Sequence, residues 1–138
     1  MKDPGPAFKE LVRIIARLRG PGGCPWDRAQ THGSLLRFLR EEAFEVGRAV
    51  RRKDFENLKD ELGDVLLQVL LHAELAREAG RFDIENVLEN LKDKLIRRHP
   101  HVFGRSPGRR LTPGQVVRRW AQIKRKEKAW KLGARPTR

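Results

Sequence analysis

The 138-residue sequence has no tyrosine and a single cysteine, Cys24. One cysteine cannot close an intrachain disulfide, and no zinc-ligand spacing accompanies it, so a reducing cytoplasm is the natural compartment. No apolar run approaches the ~20 residues that span a bilayer, and the opening Met1-Lys2-Asp3-Pro4-Gly5-Pro6 lacks the apolar core of a signal peptide. A soluble cytoplasmic protein without a membrane role is expected. Strand patterns of useful length and internal repeats are missing too, while Leu, Ala, Glu, Lys and Arg dominate, which favours helix over sheet. Acid is scarce in the last third: from Arg97 onward Glu127 is the only acidic residue among many bases.

What is present fits one helical domain. Hydrophobic residues make up 38% and charged residues 36%, the latter well above the roughly 25% of an average chain. That balance suits amphipathic helices that complete their burial in an oligomer. We assign 1–128 to a single domain and 129–138 to a basic, disordered tail. Apolar periodicity predicts helices over about 7–19, 34–51, 56–79, 84–98 and 113–130. Gly20-Pro21-Gly22-Gly23 stops the first, and Ser34 is the expected N-cap of the second. Gly80 ends the third, Asp83 caps the fourth, Pro100 ends it, and Thr112-Pro113 opens the fifth. Ser106 to Leu111 are expected to be mobile.

Two acidic clusters occupy the centre of the chain: Glu41, Glu42 and Glu45 on the second predicted helix, and Glu61 and Asp64 on the third. Residues three and four apart share a helical face. Extending the Leu35/Phe38 stripe by threes and fours lands on Glu42, Glu45 and Ala49, so these acids continue a face that begins apolar. On the third helix the stripe Leu58, Leu62, Val65, Val69 is expected as core, and the neighbouring stripe Glu61, Asp64, Gln68, Leu71 begins acidic. Gly63 is expected to leave room for close approach there. The short link between the helices makes them antiparallel neighbours, which can bring four carboxylates together. Like charges repel at this spacing, and a divalent cation, Mg²⁺ with Mn²⁺ as substitute, would reverse the sign. On the fourth predicted helix Val87, Leu88, Leu91, Leu95 and Ile96 are the expected buried face.

The rest of the chemistry is basic and aromatic. Lys94, Arg97, Arg98 and His99 are candidates for phosphate oxygens, since guanidinium forks pair with them bidentately; the plainer reading is cations suited to a helix C-terminus. Trp26 and His32 are either a base-pocket wall or a plug of their loop, and Trp120 either stacks on a base or anchors the fifth helix. His72, on an apolar stripe, reads as a satisfied core histidine.

Taken together, Gly23-Cys24-Pro25-Trp26-Asp27, Gln30-Thr31-His32, Glu41-Glu42-x-x-Glu45, Glu61-Leu62-Gly63-Asp64, Arg97-Arg98-His99-Pro100-His101-Val102-Phe103 and Trp120-x-x-Ile123-Lys124 resemble the MazG nucleoside triphosphate pyrophosphohydrolases from about Phe8 to Lys128. The resemblance implies an all-α fold, an antiparallel helical bundle completed by dimerisation, as a homodimer or dimer of dimers. It implies Mg²⁺-dependent hydrolysis of NTP or dNTP to nucleoside monophosphate and pyrophosphate, in nucleotide-pool house-cleaning. By the same resemblance Glu42, Glu45, Glu61 and Asp64 match metal ligands, and Glu41 orients or deprotonates the attacking water or joins a second metal. Several relatives carry two tandem copies of this domain, and this chain matches one. The alternative function is a nucleic-acid-binding module using the basic C-terminal helix and tail, suggested by the net charge of +13; no recognised nucleic-acid motif accompanies it. A ferritin-like di-iron protein needs Glu-x-x-His pairs, and neither central helix has one.

Overall fold

The computed structural model describes residues 1–105 and 110–133. Among them every regular element is helical: α1 Gly5–Arg19, α2 Pro25–Ala29, α3 His32–Arg52, α4 Phe55–Glu78, α5 Ile84–Arg98, α6 Pro100–Phe103 and α7 Pro113–Lys131. The chain divides into two compact units, Met1–Val87 and Leu88–Arg138.

In the first unit, α3 and α4 form an antiparallel pair. The turn between them is tight: Lys53 takes the left-handed conformation at φ 54°, and the Asp54 side chain accepts from the Asn57 backbone N–H at 3.1 Å to cap α4. α1 packs on α4 and on α2. Ile15, Leu35, Leu70 and Leu71 form the buried centre, with Phe8, Leu11, Val12, Leu18, Phe38, Leu67, Leu75 and Ile84 against it.

Two boundaries differ from the sequence expectation. α3 begins at His32 because Thr31, not Ser34, is the N-cap: the Thr31 hydroxyl accepts from Ser34 N at 3.0 Å, and the Ser34 hydroxyl accepts from Thr31 N at 2.9 Å. This reciprocal capping box places Ser34 one turn inside. The stretch after Gly22-Gly23 is a short helix, α2, with Pro25 in its first turn. A side chain at Gly23 would collide with the Leu18 and Arg17 carbonyl oxygens, so only glycine lets the chain turn so closely against α1.

The buried face of α4 also corrects the expectation. Leu62 and Val69 are exposed, whereas Gln68, Leu70, Leu71, Ala73 and Glu74 are buried. Apolar residues surround most of this helix, so periodicity alone could not choose the face. Gly63 borders open space rather than a close neighbour. α4 closes at Gly80, whose φ of 69° provides the left-handed turn. Asp83 and Asn86 then cap the start of α5 reciprocally, each side-chain oxygen accepting from the other's backbone N–H at 3.0 Å.

In the second unit, Pro100 does not simply end a helix but starts α6 after the non-helical His99. Leu88, Leu91, Leu95 and Ile96, expected as a buried face, are roughly half exposed among the described residues. α7 is opened by a capping box between Thr112 and Gln115 and continues through Lys131, past the expected start of the tail at 129. Most of the stretch expected to be mobile (106–109) and most of the tail (134–138) lie outside the described residues.

Candidate metal centre

The site grows from the register of α3 against α4. The first residue of α3, His32, meets His72, with the two Nδ1 atoms 2.7 Å apart. Ten residues along α3, Glu42 meets Glu61 and Asp64 of the antiparallel partner, and carboxylate oxygens of these three side chains lie within 4.8 Å of one another. All three are partly buried. Burial raises the Glu42 pKa first, and the charge of Asp64, hydrogen bonding with Glu61 and the charges of Glu61 and Glu41 add to the rise. The cluster therefore resists carrying its full negative charge without a cation.

The sequence expectation placed four acids together, and the structure brings three into this group. Glu45, one turn further along α3, is directed toward Arg48, with Oε1 3.6 Å from Nη1. Glu41 sits beside the trio on the exposed side of α3 and acts on it through its charge. Three hard oxygen donors at this spacing are the donor chemistry that Mg²⁺ and Mn²⁺ take, so the residues present fit such an ion.

One wall of the unit is organised by Arg19, which sequence reasoning missed. Its guanidinium donates to both oxygens of Glu78, at 3.1 and 3.0 Å, and to the backbone carbonyls of Asp27 and Gln30. α2 is thus tied to α1 and α4 through one side chain. Gln30 adds a bond from Nε2 to the Trp26 carbonyl at 3.0 Å and accepts from the Ser34 hydroxyl at 2.7 Å. The result presents Trp26 half exposed, edge-on to Phe38 with centroids 5.5 Å apart, one turn of α3 before Glu42. Arg37 lies over the other partner of that pair, 4.6 Å from the Phe38 centroid.

His32 and His72 stack with centroids 5.0 Å apart. Burial, and then the charge of His32, lower the pKa of His72. His72 is not the satisfied core histidine the stripe suggested: its Nε2 is buried without a hydrogen-bond partner among the described residues, as is Oε1 of Gln68 one turn away on α4. Nothing in local sequence signals this pairing, because the two histidines are 40 residues apart.

The remaining candidates lie in the second unit. Arg97 Nε donates to Glu127 at 2.8 Å, and Arg98 Nη2 donates to the same carboxylate at 2.9 Å. The bond from Arg98 is the largest influence on Glu127; burial opposes it, and the bond from Arg97 with the charges of both arginines adds to it, so the pKa falls to about 2. Lys94 is partly buried on the same helix. His99 meets the Leu95 carbonyl oxygen through Nδ1 at 2.6 Å and packs against the Trp120 edge, with centroids 5.2 Å apart. Trp120 lies on α7. Its Nε1 and the Nδ1 of His101 are buried without hydrogen-bond partners among the described residues.

The class of protein follows from its similarity to known families. Residues 30–103, more than half of the chain and including the whole trio, match the MazG nucleotide pyrophosphohydrolase domain. The chain belongs to the MazG family. It is 51% identical over 98% of its length to a Thermotoga maritima protein named nucleoside triphosphate pyrophosphohydrolase/pyrophosphatase MazG, covering 51% of that protein. It is 46% identical over 88% of its length to an Escherichia coli K12 nucleoside triphosphate pyrophosphohydrolase, covering 46% of that relative. This chain thus spans about half the length of these curated relatives. The crystal structure of a MazG-related protein from Thermotoga maritima superposes with a TM-score of 0.69 at 30% identity, over 85% of this chain and 98% of that one. Among the described residues no helix is long and apolar enough to cross a membrane.

Proposed function

We propose that this protein hydrolyses nucleoside triphosphates, ribo or deoxy, to nucleoside monophosphate and pyrophosphate in a Mg²⁺-dependent reaction that clears the cytoplasmic nucleotide pool. The observation that carries the reading is the convergence of Glu42, Glu61 and Asp64 across α3 and α4, in a chain of the MazG family. Glu42, Glu61 and Asp64 would hold the ion, with Glu45 reaching it by leaving Arg48. When bound, the ion neutralises phosphate oxygens and stabilises charge developing on them.

The protein's own residues do the rest. Glu41, beside the trio and open to solvent, orients the attacking water and takes its proton. Water adds to phosphorus, the anhydride bond between the α- and β-phosphates breaks, and the oxygen of that bond leaves on one of the two products. Lys94, Arg97, Arg98 and His99 hold triphosphate oxygens; for the two arginines this means sharing their N–H groups between Glu127 and substrate. Trp26, Trp120 and His32 complete the contacts to the nucleoside. The apolar residues left half exposed on α5 are covered by a second copy of the chain, as a homodimer or dimer of dimers.

The test is a panel of NTPs and dNTPs incubated with Mg²⁺ and resolved by ion exchange. Monophosphate with pyrophosphate is the expected product pair. Diphosphate with orthophosphate, or no turnover of any nucleotide, overturns the reading.

A further inference from the structure

The contact between His32 and His72 fixes where the protons of both rings sit. With the two Nδ1 atoms 2.7 Å apart, two bare nitrogens would repel and two N–H groups would collide, so one ring donates and the other accepts. Burial lowers the pKa of His72, and a neutral imidazole carries one N–H and one lone pair. The tautomer of His72 therefore decides that of His32.

What surrounds the other nitrogen of His72 makes the choice. Its Nε2 is buried without a hydrogen-bond partner among the described residues, and so is Oε1 of Gln68, a side chain only 5% exposed. The two residues stand four apart on α4, hence on one helical face. If Nδ1 of His72 were the donor, its Nε2 and the Gln68 oxygen would be two acceptors buried one turn apart with no proton between them. With the proton on Nε2, the Gln68 oxygen has a donor, reached directly or through one buried water. Nδ1 of His72 is then the acceptor, and Nδ1–H of His32 the donor. That leaves Nε2 of His32 as a bare acceptor on an exposed side chain, the first residue of α3, which lines an open groove of ≈ 400 Å³.

We propose that Gln68 and His72 form a buried relay that holds His32 in its Nδ1–H tautomer, so that Nε2 of His32 accepts a hydrogen bond from the nucleoside of the substrate. The second half rests on the reading of His32 as a nucleoside contact in the proposed hydrolysis; the relay itself does not. The group selected is a donor, either a sugar hydroxyl or an exocyclic amino group of the base. Gln68 and His72 act through His32 and are positioning residues.

The experiment is long-range ¹H–¹⁵N correlation of the imidazole rings in ¹⁵N-labelled protein at about pH 8, above the ordinary histidine value of about 6.5. The chain has four histidines, so single substitutions assign them. Wild type should show His32 protonated on Nδ1 and bare on Nε2, with His72 the reverse. Gln68→Met, which removes the acceptor and keeps the bulk, should move both rings toward the opposite tautomers. It should also raise KM about fivefold to tenfold with kcat little changed. A nucleotide that lacks the selected donor should show no such rise: a 2′,3′-dideoxy form if the donor is a sugar hydroxyl, inosine in place of guanosine if it is the base amino group. A wild-type His32 protonated on Nε2, or tautomers that Gln68→Met leaves unmoved, overturns the relay. Tautomers that move while KM stays fixed overturn the nucleoside contact. Failure of wild type to turn over any nucleotide would count against the hydrolysis, and the tautomers of the free protein would still decide the relay.

Discussion

At the scale of the residue, Glu42 is the most informative position. Its pKa is raised in the folded state, chiefly by burial and then by Asp64 and Glu61, so its contribution to stability is present below the ordinary carboxylate range and is lost as pH rises through the raised value. Glu42→Gln removes that loss. In metal-free protein we expect its melting temperature at pH 8 to exceed wild type by on the order of 2 °C, with the gap narrowing toward pH 4, as followed by circular dichroism. The opposite sign holds for Glu127, whose pKa Arg98 and Arg97 lower to about 2. Its stabilising effect is complete above the ordinary carboxylate range and is lost as pH falls toward that value. Glu127→Gln should therefore melt below wild type at neutral pH, and the deficit should shrink in acid. A deficit that stays constant with pH would show that packing, not the ion pair, is what the substitution removes.

At the scale of the element, the hydrophobic stripes made the main helices legible, and the short link between α3 and α4 made their antiparallel pairing legible. That pairing is what brought Glu42 to Glu61 and Asp64. The capping of α3 was misread because both Thr31 and Ser34 are good N-cap residues, and only the reciprocal hydrogen bonds show that they act together. Thr31→Ala breaks the box and should cost about 1 kcal/mol in a denaturant midpoint experiment. A loss much below that would mean that Arg19, through the Gln30 carbonyl, holds the start of α3 on its own. The place of Glu45 was not legible either. It shares a helical face with Glu42, but its neighbour Arg48, three residues on, offers a salt bridge that no spacing rule weighs against a site across the helix pair.

At the scale of the whole molecule, what the sequence could not convey is every contact made over a long stretch of chain. His32 with His72, Arg19 with Glu78, and Arg98 with Glu127 each join residues 29 or more apart, and no local pattern marks them. The half-exposed leucines of α5 are a case of a different kind. Their spacing is that of a buried face, yet among the described residues they stay roughly half exposed. Sedimentation equilibrium at micromolar concentration should give the mass of two or four chains of 16.0 kDa. A single-chain mass would leave those side chains without a partner and contradict the oligomer.

The central claim, that the trio makes this fold a nucleotide pyrophosphohydrolase, is tested most directly by comparing wild type with Asp64→Asn. Both would be assayed with a hydrolysed nucleotide at saturating Mg²⁺, with products resolved. The account predicts monophosphate and pyrophosphate from wild type and a turnover at least about a hundredfold lower from the variant, with no fall in melting temperature. Undiminished turnover in a folded Asp64→Asn protein would contradict it.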